Sequence, residues 1–254
     1  MPLYIASLNS GSNGNCYYVG SAQEAVLVDA GISCRETEHR MLRLGLSMDR
    51  LRAVFISHEH TDHTRGVEVI ARKYRIPVYI TAATQQNSKL WLDPDLTRTF
   101  SPLEPVTIGG LFVQAFPKKH DAAEPHSFII EGEGITVGVM TDMGSACEHV
   151  VKHFSRCNAA FLEANYDEQM LEKGTYPLFL KNRIRSDEGH LSNRQALELF
   201  LGHRSPALSH LLLSHLSEHN NHPQLVQDLF GQHSNGAYIA VAGRYKETGV
   251  FRVG

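Results

Sequence analysis

The segment Ser57-His58-Glu59-His60-Thr61-Asp62-His63 concentrates four potential metal ligands within six residues: His58, His60, Asp62 and His63. It follows an apolar run at residues 53–56 and precedes a stretch of helical spacing at residues 64–74. In an extended chain, residues i and i+2 point the same way, so His58 and His60 can grip one ion. Asp62 and His63 fall where the chain turns into the helix, and can grip a second. Imidazole and carboxylate donors suit zinc or manganese, and iron is also chemically suitable. A solvated polar turn is the ordinary alternative, but it does not account for so many ligand types at one strand end. The chain has 15 histidines in 254 residues. Histidine is the commonest metal ligand and a near-neutral acid/base, but spacing rather than number carries the argument.

His-Glu-His-Thr-Asp-His resembles the HxHxDH signature of metallo-β-lactamase-fold hydrolases. Four further stretches fit the motif order of that family: Val28-Asp29-Ala30-Gly31, Phe116-Pro117-Lys118-Lys119-His120, Met140-Thr141-Asp142-Met143-Gly144 and Leu213-Ser214-His215. The resemblance spans residues 29–215. It implies a four-layer αββα sandwich of two mixed β-sheets holding two divalent ions. One ion would take His58, His60 and His120, the other Asp62, His63 and His215, with Asp142 bridging. Asp29 would orient a ligand histidine. Read from the residues alone, His126 and Asp121 compete with His120, and His210, His219 and His222 compete with His215. Asp29 could be a turn residue and Asp142 a helix cap.

A two-metal site generates a bridging hydroxide at neutral pH and polarises an oxyanion, so it can hydrolyse esters, amides, thioesters or phosphodiesters. Fold does not choose among these. The run Glu188-Gly189-His190-Leu191-Ser192-Asn193-Arg194-Gln195-Ala196 lies 25 residues before His215. It resembles the phosphodiesterase branch, including ribonuclease Z, in which a similar histidine before a helix protonates the leaving group or holds the phosphate. Phe161-Leu162-Glu163-Ala164 resembles that branch's glutamate, which orients the histidine. A leaving alkoxide needs a general acid, and a Glu–His pair supplies one. The resemblance thus implies Asp62, Glu163 and His190 as catalytic residues. A plain helix-entry turn is the alternative at Gly189-His190.

Lys181, Arg183 and Arg185 alternate just before His190. In an extended loop they would project on one side toward a backbone phosphate; a solvated charged loop is the alternative. The small residues of loop 10–15 allow backbone N–H groups to approach a ligand closely. Ser10, Asn13, Asn15, Ser192 and Asn193 complete the expected substrate-binding set. With the Leu213-Ser214-His215-Leu216-Ser217-Glu218-His219-Asn220-Asn221 run, these stretches resemble the WalJ (YycJ)-type exonuclease subfamily. That likeness implies 5′-to-3′ exonuclease activity on DNA, with double-stranded ends as the expected substrate. One departure is His126-Ser127, where related proteins often carry glycine. Only 21 residues separate His120 from Asp142 and 47 separate Asp142 from His190. Neither interval has room for the tRNA-gripping arm of ribonuclease Z or a β-CASP domain.

The elements that must position these residues read as one domain over residues 1–254. Short strands are expected at residues 3–8, 16–19, 25–28, 53–56, 78–80, 106–108, 111–116, 127–131, 135–140, 159–162, 208–213, 238–242 and 250–253. Helices are expected at 35–44, 64–74, 192–202 (capped by Ser192) and 223–230. Two mixed sheets packed face to face with helices outside is the natural layered solution. Hydrophobic residues make up 42% of the chain, charged residues 20%, and net charge is −3. Disorder and a broadly basic nucleic-acid coat are thereby excluded. Cys16, Cys34, Cys147 and Cys157 form no CxxC, so reduced thiols in the cytoplasm are expected. The N-terminal residues lack a signal-peptide pattern, and no apolar run is long enough for a membrane span. No membrane association or obligate protein partner is expected. A small-molecule thioesterase or lactonase is the competing enzyme reading, and a metal-loaded regulatory binding protein the competing non-enzyme reading.

Overall fold

The computed structural model describes residues 2–254. The first half runs β1 (Leu3–Asn9), β2 (Cys16–Gly20), β3 (Ala25–Val28), α1 (Cys34–Arg43), β4 (Leu51–Phe55), α2 (Thr61–Thr64), α3 (Val67–Tyr74), β5 (Val78–Tyr79), α4 (Ala82–Asn87) and β6 (Thr97–Arg98). The second runs β7 (Pro105–Ile108), β8 (Leu111–Pro117), β9 (His126–Gly132), β10 (Ile135–Met140), α5 (Glu148–Phe154), β11 (Ala159–Glu163), α6 (Glu168–Lys173), α7 (Leu178–Ile184), α8 (Asn193–His203), β12 (His210–Ser214), α9 (Pro223–Gly231), β13 (Tyr238–Val241) and β14 (Phe251–Val253).

Among the described residues the strands form two seven-stranded sheets, ordered β14-β1-β2-β3-β4-β5-β6 and β13-β12-β11-β10-β9-β8-β7. Each changes from antiparallel to parallel pairing at one strand. In the first sheet that strand is β3, antiparallel to β2 and parallel to β4. In the second it is β10, antiparallel to β9 and parallel to β11.

Side-chain alternation builds the layers. Leu3 and Ile5 of β1 join Val26, Phe55, Phe128, Val137 and Phe161 between the sheets. Ala6 and Leu8 of the same strand face Met41 of α1 and Val67 and Ile70 of α3. On the far side, Ile129, Ala160 and Leu162 pack against Val150 and Phe154 of α5, Phe200 of α8 and Phe230 of α9. The result is the expected helix–sheet–sheet–helix stack.

Three local departures matter for the site. The helix expected over residues 64–74 is two pieces, α2 and α3, broken at Gly66. A Cβ at Gly66 would run into the Ile32 carbonyl oxygen, so this glycine lets the chain after the His-Asp motif pack closely on the β3–α1 turn. Helices α4 and α6 have no counterpart in the sequence reading. The Lys181–Arg185 stretch, expected as an extended loop, is helix α7 with Arg185 at its C-cap. Lys181 and Arg185 therefore share one helical face and Arg183 points elsewhere. No helix among the described residues is long and apolar enough to cross a membrane. All four cysteines are free.

Candidate active site

The chemistry-bearing residues gather where strands end. Asp29 follows β3, residues 57–63 follow β4, His120 lies beyond β8, Asp142 lies beyond β10, Glu163 closes β11 and His215 follows β12. β3 and β10 are the strands at which pairing direction changes, and in sheets of this kind ligands bind outside the carboxyl ends of the strands. Asp29, Asp142 and His215 have φ of 60°, 55° and 57°. Non-glycine residues in this left-handed region cost on the order of 1–3 kcal/mol each and persist where surrounding structure over-determines them.

Three donor groups overlap. His58, His60 and His120 each offer an atom within 4.8 Å of the others, as do Asp62, His63 and His215, and also His58, His63 and Asp142. Asp142 sits between the first two: its Oδ1 lies 3.2 Å from His215 Nε2 and 4.0 Å from His120 Nε2, and its Oδ2 lies 3.3 Å from His63 Nε2.

The outer partners set the tautomers. His63 Nδ1–H donates to Asp29 Oδ2 at 2.7 Å, His120 Nδ1–H to the Gly189 carbonyl at 3.2 Å, and His215 Nδ1–H to Asn15 Oδ1 at 3.0 Å. Each acceptor fixes the proton on Nδ1, which leaves Nε2 facing the cluster as a lone-pair donor. Burial pushes His58 well below the usual histidine range and takes His120 down to about 2, despite the Asp142 carboxylate nearby. Both are thus neutral rings suited to coordination. Burial raises Asp142, but His215, His63 and Lys118 outweigh it and keep it ionised. His120 Nε2 and Asp142 Oδ2 are buried without a hydrogen bond. Orphaned donors in an imidazole and carboxylate nest fit a divalent metal ion.

Behind this cluster, Asp29 is fully buried and accepts from Ser57 N and Ser57 Oγ, both at 2.8 Å. It ties the start of the His-rich segment to His63. Lys118, which the sequence reading gave no role, is buried beside Asp142 and donates from Nζ to the Thr141 carbonyl at 2.7 Å. A buried lysine between two apolar-looking strands has no local signature; only the fold reveals it.

Glu163 and His190 form a separate pair next to the cluster. His190 Nδ1–H donates to Glu163 Oε1 at 2.8 Å. Glu163 is fully buried, and its Oε2 accepts from Met143 N at 2.7 Å and Leu191 N at 3.2 Å. Burial alone would lower the His190 pKa, but the Glu163 carboxylate outweighs it and raises it. The His190 side chain keeps 21% exposure, so it can be reached from solvent. One donor atom each from Asp142, Glu163, His190 and His215 also lie within 4.8 Å of one another.

The competing histidines fall elsewhere. His126 starts β9, with Nδ1 on the Glu124 carbonyl and its ring edge-on to Phe100. His210 opens β12 against Tyr238 and Phe251, at the other end of the strand from His215. His219 meets Tyr176, and His222 caps α9. Asp121 stays near, its Oδ1 3.4 Å from His120 Nε2, and pairs with Arg183.

The expected substrate-binding residues make the following contacts within the protein. Asn15 is buried and serves the cluster, donating from Nδ2 to Asp62 Oδ2 at 3.2 Å. Ser10 is buried and accepts from the His215 backbone N–H at 2.7 Å. Asn13 donates to the Arg244 carbonyl at 2.9 Å. Ser192 is the N-cap of α8 in a full capping box with Gln195, and Asn193 pairs with the Asn221 amide at 3.0 Å. Lys181 donates to the Glu172 carbonyl and Arg185 pairs with Glu172 at 2.9 Å. Ser10 and Asn15 thus hold cluster residues directly, while Arg183, exposed, pairs with Asp121 beside His120.

The sequence matches the family described as Beta-lactamase superfamily domain over residues 24–215. It is 34% identical over 236 residues to exodeoxyribonuclease YycJ of Bacillus anthracis, covering 89% of this chain and 87% of that protein. It is 32% identical over 223 residues to exodeoxyribonuclease WalJ of Streptococcus pneumoniae, covering 86% and 83%. Among solved structures, the metallo-beta-lactamase fold protein YhfI of Bacillus subtilis superposes with a TM-score of 0.75 at 17% identity, covering 99% of this chain and 100% of that one.

Proposed function

The chain belongs to the beta-lactamase superfamily, and we propose that it is a metal-dependent phosphodiesterase working as a 5′-to-3′ exodeoxyribonuclease on double-stranded DNA ends. We assign this to the cytoplasm and to one catalytic domain, with two divalent ions, zinc or manganese. His58, His60 and His120 would hold one ion, Asp62, His63 and His215 the other, and Asp142 would face both. When bound, such ions supply Lewis acidity to a phosphoryl oxygen and lower the pKa of water.

The observation that carries the phosphodiesterase assignment is the Glu163–His190 pair. A phosphodiester leaves an alkoxide that needs a proton. His190, anchored at Nδ1 by a fully buried carboxylate, lies beside the cluster, stacked on His215 with 5.2 Å between ring centroids and tilted against His120 at 5.3 Å. It donates the proton to the leaving oxygen, and Glu163 holds its orientation and stabilises its charged form. Asp29, Asn15 and the Gly189 carbonyl keep the ligand rings in place without touching substrate. The names of the relatives, exodeoxyribonucleases both, support DNA as the substrate.

The test is His190→Ala with metal content measured beside cleavage. Retained metal with cleavage slowed by roughly two to four orders of magnitude is expected. Loss of metal would make His190 a ligand and sink the general-acid role. Thioester or lactone turnover without DNA cleavage by the wild type would overturn the nuclease assignment.

A further inference from the structure

Asn15 meets every member of one donor group. Its backbone N–H donates to the Asp62 carbonyl at 2.7 Å, and its own carbonyl accepts from Gly31 N–H at 2.8 Å. A Cβ at Gly31 would run into the Asp62 carbonyl oxygen, so the close approach of these loops needs a glycine there. From the side chain, Nδ2 donates to Asp62 Oδ2 at 3.2 Å and lies 3.1 Å from His63 Nε2, while Oδ1 accepts from His215 Nδ1–H at 3.0 Å. The group of His58, His60 and His120 is held by other parts of the chain. Ser57 Oγ lies 2.9 Å from His58 Nδ1, and His120 is fixed by the Gly189 carbonyl. Among the described residues, no hydrogen bond joins Asn15 to those three histidines.

The Asn15 amide is locked in one orientation. Oδ1 also accepts from Gly11 N–H at 3.0 Å and from the Tyr17 hydroxyl at 3.1 Å. A reversed amide would set N–H against the Gly11 N–H. Tyr17 is fully buried between the sheets, its ring centroid 4.9 Å from that of Phe161. Its hydroxyl also lies 2.8 Å from Ser10 Oγ, which accepts from the His215 backbone N–H at 2.7 Å. Tyr17 therefore braces His215 twice, at the ring through Asn15 and at the backbone through Ser10. In a buried, low-dielectric network each missing member is felt by the others.

We propose that Asn15, locked by Tyr17, is a positioning residue that sets metal affinity at the group of Asp62, His63 and His215 alone, so that the two ions bind in separable steps. The proposal rests on the two-ion reading of the cluster. Asp142 faces both groups, but the hydrogen bonds of Asn15 bypass it.

The full chain is dialysed against a series of buffered free-zinc concentrations, and bound zinc per chain is counted by elemental analysis. The wild type should hold two ions. Asn15→Ala should shift the release of one ion to roughly ten- to a hundredfold higher free zinc and leave the other in place. Tyr17→Phe keeps the ring packing and removes one donor to Oδ1; it should shift the same step about two- to tenfold. Asn15→Ala/His215→Ala should hold as much zinc as His215→Ala, whereas Asn15→Ala/His60→Ala should lose both ions. Excess zinc should restore most of the kcat of Asn15→Ala for oligonucleotide cleavage at unchanged KM. Wild-type zinc curves in both Asn15→Ala and Tyr17→Phe would overturn the proposal and leave the two-ion reading standing, as would loss of both ions together in folded Tyr17→Phe. A wild type that holds a single ion would remove the two-ion reading and the proposal with it. Separable zinc binding without DNA cleavage would keep the proposal and remove the nuclease. If Asn15→Ala does not fold, Tyr17→Phe decides alone.

Discussion

Glu163→Gln isolates the positioning role from metal binding. Oε2 of Glu163 accepts two backbone N–H groups, Met143 and Leu191. A glutamine must keep its single carbonyl oxygen there, because turning the amide would set N–H against N–H. Its NH₂ then faces His190 Nδ1, which now donates to Glu163. His190 can avoid that clash only by giving up its Nδ1 proton, so its doubly protonated form loses both a partner and a counter-charge. Losing one hydrogen bond to a charged group costs about 1.5–3 kcal/mol, while both backbone bonds survive. The variant should fold, with Tm lowered by roughly 5 °C. Single-turnover cleavage of an end-labelled oligonucleotide should slow about a hundred- to a thousandfold at unchanged metal content. Since Glu163 acts through His190, the Glu163→Gln/His190→Ala double variant should be no slower than His190→Ala. Cleavage within threefold of wild type, or additive losses in the double variant, would refute the argument; loss of metal would place Glu163 or His190 among the ligands.

Asp142→Ala removes the carboxylate that faces both donor groups, and should abolish cleavage with loss of bound metal, read by elemental analysis of the purified protein. Chelation of the wild type should lower Tm, and restoring metal at a thousandfold over its Kd should return about 4 kcal/mol of stability. His153 is buried in a stack on Phe116 with both ring nitrogens unpartnered, and burial lowers its pKa to about 4. The unfolded chain takes up that proton near pH 6.5 and the folded chain resists it. Stability should therefore fall by about 2–3 kcal/mol as pH drops from 6.5 toward 4, and denaturant melts of His153→Phe should lack that component. Glu247, held at about 2 mainly by its bidentate bond to Arg43 at 2.7 and 2.8 Å, pins the chain before β14 to α1. Its contribution is present above pH 4.5 and lost as pH falls through about 2. Glu247→Gln should cost about 1 kcal/mol at pH 7, given the half-exposed arginine, and nothing near pH 2.

The strands were legible because alternation and Gly-rich turns mark them locally; β3 and β10 fall on the expected residues and most others within two. The His-rich segment was legible because neighbouring residues supply four donors on one turn. Helix α7 was not, since its charged residues alternate as in a strand and its apolar Leu178 and Phe179 stay exposed, leaving no amphipathic face to betray it. Pro177, at its N-cap, was the available signal. Asn15 looked like a ligand-facing loop residue because small neighbours suggest backbone access; the long-range approach of His215 and Asp62 turns it inward. Lys118 shows the same limit, since its partner carbonyl lies across the sheet on the strand end before Asp142.

The central claim is that the histidine and aspartate cluster cleaves DNA from an end. The most direct measurement follows an end-labelled, 5′-phosphorylated DNA duplex incubated with the chain and added manganese or zinc, beside His58→Ala. Stepwise release of mononucleotides from the 5′ end, lost in the variant, is the predicted result. Intact DNA with the metal-replete wild type, or equal cleavage by His58→Ala, would contradict it.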